Sequence, residues 1–329
     1  MRISRLIDNR MSLPFFRGWR ALLSLVVLLL SSGPALAWNA AGHRLVAGIA
    51  WERLDRHTRT VIAQLLRDHP DYVRWRDRAG ADESGRLAFI EASTWPDDIR
   101  SDNRFYSAGI DAPTPLLPGF PDMERHRDWH YVNRPLDGTP AIHAQRNRES
   151  VSGMLEQQLV ALGKVLSALG APRSTRVYAL PWMIHLVGDA HQPLHTSIRL
   201  DAQGHWDRLG NGVMVINPFN PRKPSSTLHA YWDDLPGPPW LRGERLDAAG
   251  RALTAAYPAA PADPARSKPG LWIEESWHLA RQSAYPPDDE FVPTLSAAFH
   301  DNAKEIARRR IAEAGYRLAD LLNELLGEP

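Results

Sequence analysis

The chain has no cysteine in 329 residues. Disulfides are excluded, and so is any metal site built on thiolates, so a metal would have to be held by His, Asp, Glu or backbone groups. A chain this long buries a core without cross-links. Long apolar runs are also missing: the main one, Ala21 to Leu30, is well short of the roughly 20 residues that span a bilayer. Strand patterning is sparse, with no internal repeat and no low-complexity segment.

The first 37 residues read as a secretory signal peptide. Arg2, Arg5, Arg10, Arg17 and Arg20 stand against Asp8, the apolar run follows, and Ala35-Leu36-Ala37 supplies a small-residue exit. Cleavage after Ala37 would make Trp38 the first residue of a domain spanning 38–329, exported to the periplasm or the medium with no stable membrane association. The cut takes five arginines from 39 basic residues and one aspartate from 38 acids, leaving 34 against 37, a net charge of −3. Proteins that hold nucleic acid by Lys and Arg alone show a basic excess. This domain lacks one, so a phosphate-binding role needs another source of positive charge.

Helical patterning dominates what is present. Apolar residues recur at helical spacing over 41–66, 149–169 (Val151, Leu155, Leu159, Leu162, Leu166, Leu169), 267–283 and 292–326. Residues 176–192 predict a buried helix that stops before Pro193. Glycines and Val213-Met214-Val215-Ile216 within 205–217 could form one small hairpin. Proline-rich stretches at 111–121, 217–224, 235–239 and 258–269 read as surface excursions. The expected fold is mainly α, a single helical domain with one small β-hairpin.

Five clusters carry chemistry: Trp38 to His43, Trp95-Pro96-Asp97-Asp98-Ile99-Arg100, Trp129-His130-Tyr131-Val132-Asn133, His185 to His195, and Leu228 to Asp233. His185 and Asp189 are four apart, as are His229 and Asp233, so on helices each pair shares a face. Two such ligands can grip one metal without distorting the helix. A charged Asp189 among Leu186, Val187 and Ala190 is costly unless paired or metal-bound. Each pair alone equally describes a hydrogen-bonded couple, His195 alone a helix-end cation, Asp97 an N-cap and Tyr131 a core aromatic. As a set, with a Cys-free exported chain, they make a multi-metal site the competing reading, and spacing alone leaves both open.

With all five clusters in view, the domain resembles the zinc-dependent single-strand-specific nucleases and 3′-nucleotidases of the S-one/P-one type, whose structural relative is bacterial zinc phospholipase C. The resemblance runs from Trp38 to the end and includes Trp272-Ile273-Glu274-Glu275-Ser276 and Gly315 to Asn323. It implies three zinc ions. Asp97, His130, His185 and Asp189 would hold one. Trp38, through its free amine and carbonyl, and His43 would hold a second, bridged by Asp189. His195, His229 and Asp233 would hold a third. Asp97, Arg100 and Asp189 are the implied catalytic residues, and Tyr131 and Asn133 the implied nucleobase contacts. The implied partners are single-stranded nucleic acid and nucleotides, with no protein partner. Three dications against three aspartates would supply the positive charge that Lys and Arg do not. The chain departs from fungal and plant members in lacking disulfides, and from many members in carrying Asn133 where they have Asp. Two rival readings remain, a lipid-cleaving phospholipase C and a secreted metal-binding protein without activity. By the resemblance, Asp233 rather than Glu at the third zinc favours the nuclease.

Overall fold

The computed structural model describes residues 38–80, 82–136, 153–200, 206–287 and 292–328. The leader reading and residues 149–152 of the predicted stripe over 149–169 lie outside them. The first helix, α1 (Ala40–Trp51), starts where the Asn39 side chain accepts from the Ala41 and Gly42 N–H groups. It is followed by α2 (Arg56–Arg67), capped by Asp55 accepting from Thr58 N at 2.7 Å. The continuous stripe predicted over 41–66 is therefore two helices, split where Asp55 offers a cap that an unbroken helix would waste.

Three short helices come next: α3 (Tyr72–Ala79), α4 (Arg86–Ala92) and α5 (Trp95–Asp98). An irregular stretch leads to a 3-10 turn at Arg127–His130. Helix α6 (Leu155–Ser167) carries the predicted stripe, but Leu169 lies past its end and is 89% exposed. Helix α7 (Arg173–Ala190) is buried from Val177 onward on every side, despite Pro181 within it. A second 3-10 turn, Pro193–Thr196, follows.

Strands β1 (Met214–Ile216) and β2 (Ser225–Thr227) pair antiparallel, Met214 opposite Thr227. The hairpin exists, but its second strand lies beyond the proline-rich loop 217–224, whereas residues 208–212 form turns. Then come α8 (Leu228–Asp234), α9 (Gly243–Ala256), α10 (Pro269–Leu279) with a π turn at Ala280–Ala284, and α11 (Ala297–Leu326). Among the described residues the protein is thus mainly helical with one two-stranded sheet.

Helix α7 is the hub. It packs against α1, α2, α4, α5, α6, α10 and α11, while α1 also lies along α11. A helix apolar all round belongs inside a core. Because α7 ends in the metal-type motif, every layer packed on it helps to fix that motif. No described helix is long and apolar enough to cross a membrane.

Candidate metal centre

Helix α7 delivers His185 and Asp189 from one face at its C-terminal end, both fully buried. Helix α1 brings His43 beside them. Its ring stacks on that of His185 at 3.8 Å, and its Nε2 lies 3.5 Å from Asp189 Oδ1. This approach requires Gly188, since a Cβ there would sit 2.9 Å from His43 Nδ1. The first 3-10 turn supplies His130, and α5 supplies Asp97. Helix α8 and the second 3-10 turn bring in His229, Asp233 and His195.

The donors fall into three groups: His43 with Asp97 and His185; His130 with His185 and Asp189; and His195 with His229 and Asp233. His130 Nδ1 lies 3.1 Å from both Asp189 Oδ2 and His185 Nε2, and the last two are 3.3 Å apart. Asp97 Oδ1 stands off at 3.8 Å from His185 Nε2 and 4.0 Å from His130 Nδ1. In the third group, His229 Nε2 is 3.2 Å from His195 Nε2 and 3.4 Å from Asp233 Oδ2. A tetrahedral zinc with bonds of about 2.0 Å has ligand atoms roughly 3.3 Å apart, so both triads fit that ion.

Ring tautomers support the fit. His185, His195 and His229 each turn Nδ1 to a backbone carbonyl, those of Ser93 (2.8 Å), His130 (2.6 Å) and Leu209 (2.6 Å). A carbonyl only accepts, so each Nδ1 carries the proton and each Nε2 offers its lone pair to the cluster. Asp97 Oδ1, Asp189 Oδ1 and His43 Nε2 are buried without a hydrogen-bond partner, a costly state that a cation would relieve. Electrostatics agree. Burial, with the Asp97 charge added, pushes the Asp189 carboxyl up to about 6 despite His185. Burial drives Asp233 up as well. Burial, reinforced by neighbouring imidazoles and Arg100, holds His43, His130 and His195 well below the usual imidazole range. At His185, by contrast, Asp189 and Asp97 outweigh burial and raise it. The residues present therefore fit bound divalent cations.

Around these groups, Trp38 is fully buried, packed on Gly42 and near Gly188, and the Asn39 N–H donates to the Asp233 carbonyl at 3.0 Å. Arg100 is nearly buried, with Nη1 3.5 Å from Asp97 Oδ1. Tyr131 and Asn133 are half-buried on the segment leaving His130. All twelve residues singled out from the sequence thus lie on the segments that build or leave this centre. Sequence reasoning missed Gln192, whose Nε2 donates to Asp233 Oδ1 at 2.8 Å, and Gly188. Both lie inside the quoted His185–His195 motif, where a polar residue between ligands and a glycine within a helix were the available signals. The two largest cavities described, of about 820 and 540 Å³, border none of the donors. Here chemistry, not volume, marks the site.

Buried imidazoles and carboxylates are thus grouped as divalent cations require, with an arginine beside them. The sequence pattern of S1/P1 nucleases matches residues 38–327, and the chain belongs to that family. It is therefore a nuclease, a hydrolase of phosphodiester bonds. It is 24% identical to Endonuclease 5 of Arabidopsis thaliana over 88% of this chain and 91% of that protein. With Endonuclease 2 of the same plant it shares 25% over 92% and 96% of the two chains. With Nuclease S1 of Aspergillus oryzae it shares 21% over 89% and 93%.

Proposed function

We propose that the protein is an exported, zinc-dependent endonuclease that cuts single-stranded DNA and RNA to 5′-phosphate products and also acts as a 3′-nucleotidase. The observation that carries this reading is the set of donor groups spaced for tetrahedral zinc within reach of Arg100. Asp97, His130, His185 and Asp189 would hold one ion, His43 and the Trp38 amine and carbonyl a second with Asp189 shared, and His195, His229 and Asp233 a third. Bound there, the ions would supply a water that ionises near neutral pH and the positive charge for an anionic substrate.

The chain's own groups do the rest. Arg100, held near Asp97, would turn guanidinium donors to the transferring phosphoryl group. Gln192 orients Asp233 by holding one carboxylate oxygen, and the other would be left for an ion. Tyr131 would stack an unpaired base and Asn133 would meet its edge, which favours single strands because duplex bases are already stacked. The leader would place the enzyme in the periplasm or the medium.

Signal-cleaved protein purified without added metal should contain about three zinc ions per chain. It should cut single-stranded oligonucleotides faster than duplex and leave 5′-phosphate ends. One zinc or none sinks the trinuclear assignment. Rapid phosphatidylcholine hydrolysis without nucleic-acid cleavage moves the protein to the phospholipase reading.

A further inference from the structure

We propose that a basic and aromatic track leads away from the metal centre and holds the backbone of a single strand beyond the bond that is cut. The inference rests on the nucleic-acid reading above and names a subsite of it. Its frame is a short parallel ladder: Val132 N–H donates to the His195 carbonyl (2.9 Å), Ile198 N–H to Arg134 (3.0 Å) and Leu136 N–H to Ile198 (3.0 Å). Both segments depart from the centre, one from His130 and the other from His195. Arg134 lies four residues beyond the first and Arg199 four beyond the second. At about 3.3 Å per extended residue, each arginine is at most about 13 Å of chain from its histidine.

Both arginines lie over aromatic rings. The Arg134 guanidinium is 5.2 Å from the Trp277 ring centre, and that of Arg199 is 4.3 Å from Tyr285. Arg281 is 5.9 Å from the same Trp277 ring. The rings are themselves fixed. Trp277 Nε1 donates to the Pro135 carbonyl at 3.1 Å, and the Tyr285 hydroxyl donates to the Asp207 carboxylate at 2.5 Å. Asp207, an acid beside Arg199, is thereby occupied, since it also accepts from the Arg199 and Gly210 backbone N–H groups, each at 3.0 Å. A guanidinium stacked on a ring keeps its in-plane N–H donors for an anion. Paired with half-buried rings, such donors suit a chain of phosphates with unstacked bases, which is single-stranded nucleic acid. The mature chain is net acidic, so a local cluster of this sign on a path out of the centre marks the strand's route.

The test compares the signal-cleaved, metal-loaded protein with an Arg134→Ala/Arg199→Ala pair on a thymidine dinucleoside monophosphate and on a thymidine 12-mer. The track predicts that kcat/KM for the 12-mer falls about tenfold, mainly through KM, while that for the dinucleotide moves less than twofold. The slope of log kcat/KM against log salt for the 12-mer should become shallower by about 1.4, from two lost phosphate contacts on a single strand. An Arg134→Lys/Arg199→Lys pair, which keeps both charges, should recover most of that slope. Equal loss on both substrates in the lysine pair, or an unchanged 12-mer, overturns the track while leaving the nuclease reading standing. If the unsubstituted protein cuts neither substrate, the nuclease reading falls and the track falls with it.

Discussion

Seven histidines are buried among the described residues. Five of them converge on the metal centre, and two, His69 and His191, stand apart from it. Burial is the same in both sets; what differs is the fate of the second ring nitrogen. In His185, His195 and His229 a carbonyl takes the Nδ1 proton, and Nε2 is left facing other donors. His191 begins the same way, with Nδ1 donating to the Val187 carbonyl at 2.7 Å, but its Nε2 accepts from Arg317 at 3.1 Å. That arginine is tied to Asp263 and Glu275, and Arg310 beside it reaches the His191 carbonyl. His69 uses Nδ1 to accept the Asp71 N–H, while its ring sits among Trp75, Trp95 and Phe120. A buried histidine is thus placed to be a ligand here when its remaining lone pair meets carboxylates and imidazoles, and is a strut when it meets a donor or an aromatic wall.

The largest effects should come from breaking the converging set. Asp189 faces His43, His130 and His185, whereas Asp233 belongs to the third group alone, with His195 and with His229 at 3.4 Å. Asp189→Asn should lower kcat/KM by about a thousandfold or more and Asp233→Asn by less, because charge and lone pairs are lost at two metal positions rather than one. Elemental analysis should show more zinc lost from the first variant. Equal and small losses in both would remove them from the ligand set.

An intermediate effect should separate the strut from the ligand. His191→Ala should keep its zinc but lose about 2–4 kcal/mol of stability, from a buried cavity and an arginine deprived of an acceptor. His195→Ala, four residues away, should lose zinc. Denaturant unfolding with metal analysis reads both, and zinc loss in His191→Ala would erase the distinction.

The smallest effect concerns His69. Burial, with Arg104 contributing, lowers its imidazole from 6.5 to about 3, although Asp71 pulls the other way. Below pH 6.5 the unfolded chain takes up a proton that the folded chain refuses. This stability is therefore intact above pH 6.5 and is lost as pH falls toward 3, at up to about 1.4 kcal/mol per pH unit. His69→Gln, whose side-chain carbonyl can still accept from Asp71, should flatten the fall in thermal midpoint between pH 7 and 5. Parallel curves for the two proteins would show that His69 already accommodates the charge.

The sequence made the converging set legible because helical spacing is a local property: His185 with Asp189 and His229 with Asp233 needed only four-residue steps. The struts were not legible. His191 sits in the same motif as His195, and its partner Arg317 is 126 residues away in the chain. Helices α3 and α9 were missed for a related reason. The first is Tyr-Val-Arg-Trp-Arg-Asp-Arg-Ala, half charged, and the second buries only Leu246 and Leu253, too few positions to raise a stripe above noise. The hairpin was misplaced because β2 is Ser225-Ser226-Thr227, a strand made by pairing rather than by apolar alternation.

The hydrogen bonds that set the ligands also join the groups to one another. The His130 carbonyl orients His195, and the Asp233 carbonyl holds the N–H of Asn39, next to Trp38. Ordering one group therefore orders its neighbour, and such coupling is reciprocal in free energy. With ions bound as proposed, a centre wired in this way would fill cooperatively: its occupancy would rise over a narrow span of free cation concentration, and a chelator strong enough to take one ion would weaken the hold on the others.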